Sequence, residues 1–326
     1  MESIHRDYAP QGVKFFYIYK HLQHPGYDGY VQPVSLAERL KHVAEAQRRL
    51  DTKIGWIVDA MDNQLKHALG NQPNSEFVVD PAGKIVRTRS WSDPTKLRKD
   101  LAELVGPVEN PTTTADLNRK WTPVVEVAQR GVLNRIDRRE MKLGPVLIKP
   151  EESDGSQPFY VKLRAEADKY VVYRGSGKLY LGFHLDPIYR VHWNNLTKPL
   201  RIEVESPDGT TLTLLKRNSP TDDKDPADTA IDEAKADSQR LLAEAVQVKA
   251  ESDADPREFL FEVKGDKTDK PIRVTVSYFA CNDEEGWCKA IEQSWLVSLR
   301  RDPDAGSASQ GRSRGPRGQR PRKRTR

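Results

Sequence analysis

The only two thiols in this chain of 326 residues stand close together, at Cys281 and Cys288. The six residues between them are enough for a hairpin loop that brings both sulfurs to bonding distance. Three of those residues, Asp283, Glu284 and Glu285, are acidic, and such charge raises a thiol pKa rather than lowering it. A reactive cytosolic thiolate is therefore a poor reading. A disulfide outside the cytoplasm, either reversible or structural, suits the residues better. Two cysteines are also too few for a disulfide-rich scaffold or a self-contained zinc ribbon.

Other chemistry-bearing residues are sparser. His184 and Asp186 would share one face of a strand, and His192 follows across a turn. Two histidines and one aspartate are a weak pattern for a metal, and core or edge positions are the better reading. No metal or cofactor is expected. Trp287 and Trp295 read as cover for the cysteine loop or as filling for a β-sandwich. Gly175-Ser-Gly177 is too short for a phosphate loop.

Charge is unevenly placed. The whole chain carries +5, yet Arg312 to Arg326 hold seven arginines and one lysine without an acid. The rest of the chain is therefore mildly acidic. The tail from residue 304 to 326 is expected to be disordered, and it could touch an anionic envelope polymer or a nucleic acid. It has no aromatic residue for base stacking. No apolar run approaches the roughly 20 residues of a membrane helix, so no membrane span is expected.

Two kinds of pattern must position these residues. Residues 1–106 alternate strand and helix signals in the order β-α-β-α-β-β-α, an α/β sandwich. Val13 to Tyr19 and Ile54 to Val58 read as strands. Ser35 with Glu38 forms a capping box before a helix, and Asp59 and Asn63 suit the start or cap of a short helix at 62–69. A hairpin follows around Asp80-Pro-Ala-Gly83, then a helix from Pro94 to Val105. Residues 107–157 read as a linker that could pack along one domain or the other, with at most one short helix between Ala115 and Gln129. Residues 158–303 read as seven short strands of an immunoglobulin-like sandwich. A charged insertion at 218–255, helical from Ile231 to Lys249, looks like an exposed excursion from it.

The first of these regions resembles thioredoxin-fold redox proteins, and among them the bacterial branch of the iodothyronine deiodinases. The resemblance is carried by Phe16-Tyr-Ile-Tyr19, His24-Pro25, Trp56-Ile-Val-Asp59, Ala68-Leu-Gly-Asn71 and Asn74 to Ile85, with Trp91 beyond. It covers about residues 5 to 106. It implies a redoxin whose nucleophile, a cysteine or selenocysteine, lies between an early strand and the first helix. No cysteine occurs in residues 1–280. Met1 to Tyr8 look like the last turns of that helix, so the first strand and helix are expected to be incomplete, with a signal peptide and active-site motif upstream. The alternative is a copy that has lost the chemistry. His24 matches a family histidine that would polarise the substrate.

The cysteine segment resembles the N-terminal periplasmic, immunoglobulin-like domain of the thiol–disulfide interchange protein DsbD. The residues are Tyr278-Phe-Ala-Cys281, Glu285-Gly-Trp-Cys288 and Gln293, in a loop one residue longer than the DsbD form. Together the resemblances imply a periplasmic oxidoreductase with His24, Cys281 and Cys288 as site residues. A redox partner protein would exchange electrons with the pair. The alternative is a non-catalytic envelope binding protein whose disulfide is structural.

Overall fold

The structure is a computed structural model that describes residues 1–22, 25–26, 29–151, 158–221 and 239–305. In the N-terminal part, α1 (Glu2–Tyr8), β1 (Phe16–Tyr19), α2 (Leu36–Leu50), β2 (Gly55–Val58) and α3 (Gln64–Ala68) come first. They are followed by β3 (Glu76–Val79), β4 (Ile85–Arg89) and α4 (Pro94–Leu104). The helix starts follow from local chemistry. Ser35 Oγ accepts the Glu38 N–H at 3.2 Å, while the Glu38 carboxylate turns back to the Val34 N–H at 2.7 Å. Asp93 caps α4 in the same way, just before Pro94.

β1 and β2 pair in parallel, and β3 and β4 form an antiparallel hairpin. Among the described residues these are two separate two-stranded sheets, so the single α/β sandwich sheet read from the sequence is not joined. A parallel sheet needs cover on both faces. Here Phe16 is 57% exposed and Ile57 40%, on the face of the β1–β2 pair away from α2. Apolar packing in this part is limited to a small cluster around Ile4, Tyr8, Leu97 and Leu101.

Among the described residues the C-terminal part is β-strands with one short helix, α5 (Lys169–Arg174), and a 3-10 turn at Pro187–Tyr189. Its strands begin with β5 (Leu133–Asn134), β6 (Gly144–Pro150), β7 (Val161–Ala167), β8 (Gly177–Leu185), β9 (His192–Asn194) and β10 (Arg201–Glu205). Next come β11 (Thr211–Arg217), β12 (Ser219–Pro220), β13 (Arg240–Glu244), β14 (Ser252–Asp253) and β15 (Arg257–Lys264). The last two are β16 (Ile272–Asn282) and β17 (Trp287–Arg301). The seven strands expected from the sequence are β7, β8, β10, β11, β15, β16 and β17. The hydrogen-bonded order is β11-β15-β8-β7-β6-β17-β16-β10-β13. β6 turns the sheet through its own length: Gly144 and Pro145 pair with β7, while Val146 to Pro150 pair with β17. The two halves close on one core that holds Phe183, Phe259, Phe261, Val276, Trp295 and Val297.

Three sequence expectations change here. The stretch from Pro107 to Pro150 is not a plain linker, because it supplies β5 and β6 and wraps the sandwich. Asp255 accepts the backbone N–H groups of Gly131, Val132 and Leu133, and Glu258 accepts that of Ile136. Ile136 then covers Tyr180 and Leu260 on the outer face. The helix expected between Ala115 and Gln129 reduces to one 3-10 turn, Ala115–Leu117. The insertion is not a helical excursion where it is described: Arg240–Glu244 is a strand paired with β10, and Leu241 and Ala243 enter the core. Inward alternation of apolar side chains outweighed the helix-forming composition around it. Residues 222–238 and the tail from 306 lie outside the described residues.

The two parts meet through charge. Lys162 Nζ lies 2.7 Å from Glu38 Oε1 and 3.3 Å from Asp186 Oδ2, and Tyr189 donates to Glu38 at 2.8 Å. His42, bonded to Tyr19 at 2.7 Å, faces Asp186 at 3.8 Å. Burial alone would push the Asp186 carboxyl up, but His42 and Lys162 hold it below its usual value. No helix among the described residues is long and apolar enough to cross a membrane.

Candidate redox site

The cysteines sit where β16 and β17 end in their shared turn. Ile272, Val274, Val276, Tyr278 and Ala280 point inward by alternation, which sends Cys281 to the outer face. Its register partner on β17 is Cys288, and the two are bonded with Cα atoms 4.1 Å apart. Cys281 is buried, at 3% exposure, whereas Cys288 is exposed. The turn is built by local polar chemistry. Asn282 Oδ1 accepts the Glu285 N–H at 2.9 Å, and Gly286 takes a left-handed φ of 68°.

That turn is fixed to the segment before β9. Asn282 donates to the Tyr189 carbonyl at 3.0 Å, Arg190 pairs with Glu284 at 2.6 Å, and His192 Nε2 meets Asp283 Oδ1 at 3.1 Å. The indole of Trp287 donates to Glu285 at 2.6 Å and stands 5.2 Å from the Tyr160 ring. Lys289 lies over its other partner surface, 4.5 Å from the Trp287 ring centre. Burial and the Glu285 charge push the Tyr160 phenol up, so it remains a neutral wall. Trp295, fully buried, fills the sandwich. An outward sulfur beside an acidic turn can accept a thiolate from solvent, and its bonded neighbour is shielded.

β9 adds a third member. Cys281 is opposite His192 on β9 as well as Cys288 on β17. Sequence reasoning weighed His192 only as a weak metal ligand, because no local pattern links residue 192 to residue 281. Among the described residues, no group of three His, Cys, Asp or Glu side chains is gathered as a metal site would need. His184 is instead buried on the outer side of β8, and its Nε2 has no hydrogen-bond partner. Burial, and then the charges of Arg135, Arg164, Arg138 and Arg130, push its pKa well below the usual imidazole value. Asp186 belongs to the Lys162 cluster.

His24 lies outside the described residues. Asp59 does cap the short helix: its two carboxylate oxygens accept the N–H groups of Leu65 and Lys66 at 3.0 and 2.9 Å. Asn63, at the N-cap position, accepts from Arg39 at 2.7 Å and donates to Asp304 at 2.9 Å. Among the described residues, nothing near these groups is a thiol. No protein-family model matches the chain, and neither a curated protein nor a solved structure matches it.

Proposed function

We propose that this is an extracytoplasmic thiol-redox protein in which the Cys281–Cys288 disulfide exchanges with the thiols of a partner protein. The observation that carries the reading is the asymmetry of the pair: one sulfur exposed, its partner buried, at the end of a hairpin. A bridge across so short a loop stabilises a fold by only about 2 kcal/mol. β16 and β17 are already paired over eleven positions, so the fold has little need of it. The resemblance to the DsbD N-terminal domain supports the same chemistry, and that to bacterial deiodinases suggests a thioredoxin-like partner region. The parallel β1–β2 pair and the β3–β4 hairpin are compatible with such a region.

The test is the reduction potential of the pair, measured in thiol buffers by mass shift after alkylation. A value above about −270 mV supports exchange, while one below about −300 mV marks a structural bond. The second outcome favours the rival reading, an envelope binding protein with a structural disulfide. The absence of any cysteine in residues 1–280 is what keeps that rival in view.

A further inference from the structure

We propose that His192 makes this exchange directional: it guards Cys281 from attack and stabilises Cys281 as the departing thiolate, so that a partner thiol is captured on Cys288. The inference rests on the reading of the pair as an exchange site.

The observation is a row. His192 and Cys288 flank Cys281 from β9 and β17, on either side of β16, and directly opposed residues of antiparallel strands project to the same face. Cys281 is in the middle, at 3% exposure, and His192 beside it is at 7%. A thiolate attacks a disulfide sulfur from the side opposite the bond it breaks. For Cys281 that side faces β9, where His192 is its register partner. For Cys288 it is open, because β6 pairs with β17 only between Trp295 and Arg301.

Electrons then have one route. A partner thiolate bonds to Cys288 Sγ, the S–S bond breaks, and its electron pair leaves on Cys281 Sγ. A second thiolate of the same partner attacks the partner sulfur of this mixed disulfide and releases Cys288 as a thiolate. The partner dithiol is oxidised to a disulfide, the pair is reduced to two thiols, and the partner's protons are transferred through water.

His192 is placed to favour the first departure. Its Nδ1 meets the Trp193 carbonyl at 3.0 Å and its Nε2 meets Asp283 at 3.1 Å. Each nitrogen thus has an oxygen to receive a proton, an arrangement that suits the doubly protonated ring. The other charges around it are the Arg190–Glu284 pair on the turn and, from β14 and β15 behind β9, the Asp253–Arg257 pair. Both are internally balanced, which leaves Asp283 as the charge that faces the ring directly. A cation beside the leaving sulfur lowers its pKa, and a lower leaving-group pKa speeds exchange.

The experiment reduces the full chain with dithiothreitol across the imidazole titration range, with each rate divided by the reagent's thiolate fraction. The corrected rate is expected to fall as pH rises through that range. His192→Asn should remove the inflection and slow the acid limb roughly three- to tenfold, the effect of a rise of about one to two units in the leaving thiol. Asp283→Asn, an exposed turn substitution that removes the carboxylate facing Nε2, should slow the acid limb by a smaller factor and serves if His192→Asn does not fold. In parallel, Cys281→Ser should form a mixed disulfide with an aromatic disulfide reagent much faster than Cys288→Ser. An inflection that persists in His192→Asn, an acid limb unchanged in Asp283→Asn, or faster capture by Cys288→Ser, would overturn the assignment. Failure of any thiol to reduce the native pair would instead remove the exchange reading itself.

Discussion

The two parts of the molecule differ in how much apolar core they bury. The sandwich buries a continuous apolar core, with Phe183, Phe259, Phe261, Trp295 and Val297 fully enclosed. The sandwich buries ions within that core as well, Asp253, Arg257 and Glu258 among them, whereas the N-terminal part buries charge with little apolar core behind it. Glu38, Arg39, His42, Asp59, Asn63, Lys66 and Glu76 are all below a tenth exposed, while Phe16, Val79, Ile85 and Trp91 face outward. Arg39 donates to the carbonyls of Asp59 and Ala60 and to Asn63, and Arg89 bridges Glu76 and Asp100. Apolar burial is non-directional and tolerates small shifts, whereas a buried charge requires each of its partners in place. The Cys281–Cys288 pair lies on the part with the continuous apolar core.

The contrast can be broken in order of size. Trp295→Ala should cost the sandwich about 3–5 kcal/mol, the range for emptying a large core site, and a denaturant midpoint shift would measure it. If the sandwich were unmoved, its core would not be the source of its stability. Lys162→Met leaves Glu38 and Asp186 buried without their shared cation, at a cost of about 3 kcal/mol. Hydrogen exchange should show that loss in α2 and β1 well before the sandwich. Equal loosening of both parts would erase the distinction.

The smallest effect concerns Asp304, where the chain returns from β17 to the N-terminal part. Its carboxylate accepts from Asn63, Lys66 and His67 at 2.9, 3.0 and 2.7 Å. Burial would raise its pKa, but those three partners hold it far below the usual aspartate value. A depressed carboxyl stabilises the fold above its unfolded pKa, near 4, and that contribution fades as pH falls below it. Acid should therefore release this latch, and Asp304→Asn should remove about 1 kcal/mol at neutral pH and flatten the acid limb. Unchanged acid unfolding in the variant would mean the latch does not hold the two parts.

Much of this was legible in the chain. Alternation marked β16 and β17 because each buries one face, and the Ser35 and Asp59 caps were legible because capping is settled within a few residues. β6 and the strap from Gly131 to Ile136 were not. The strap's backbone groups are satisfied by Asp255 and Glu258 and most of β6 pairs with β17, in each case more than a hundred residues away, and no local pattern announces such a partner. β13 was hidden by the Asp- and Ala-rich residues before it, since strand preference depends on the neighbour it meets.

For the site itself, the division is clear. The composition and spacing of the chain confined thiol chemistry to one acidic turn, because only two cysteines exist and six residues separate them. Which sulfur faces solvent depended on sheet order, since both project from one face but β9 flanks Cys281 while β6 pairs with β17 only beyond Cys288. Only the assembled sheet could set His192 beside Cys281, because hydrogen bonds between strands bring together residues that the chain keeps far apart.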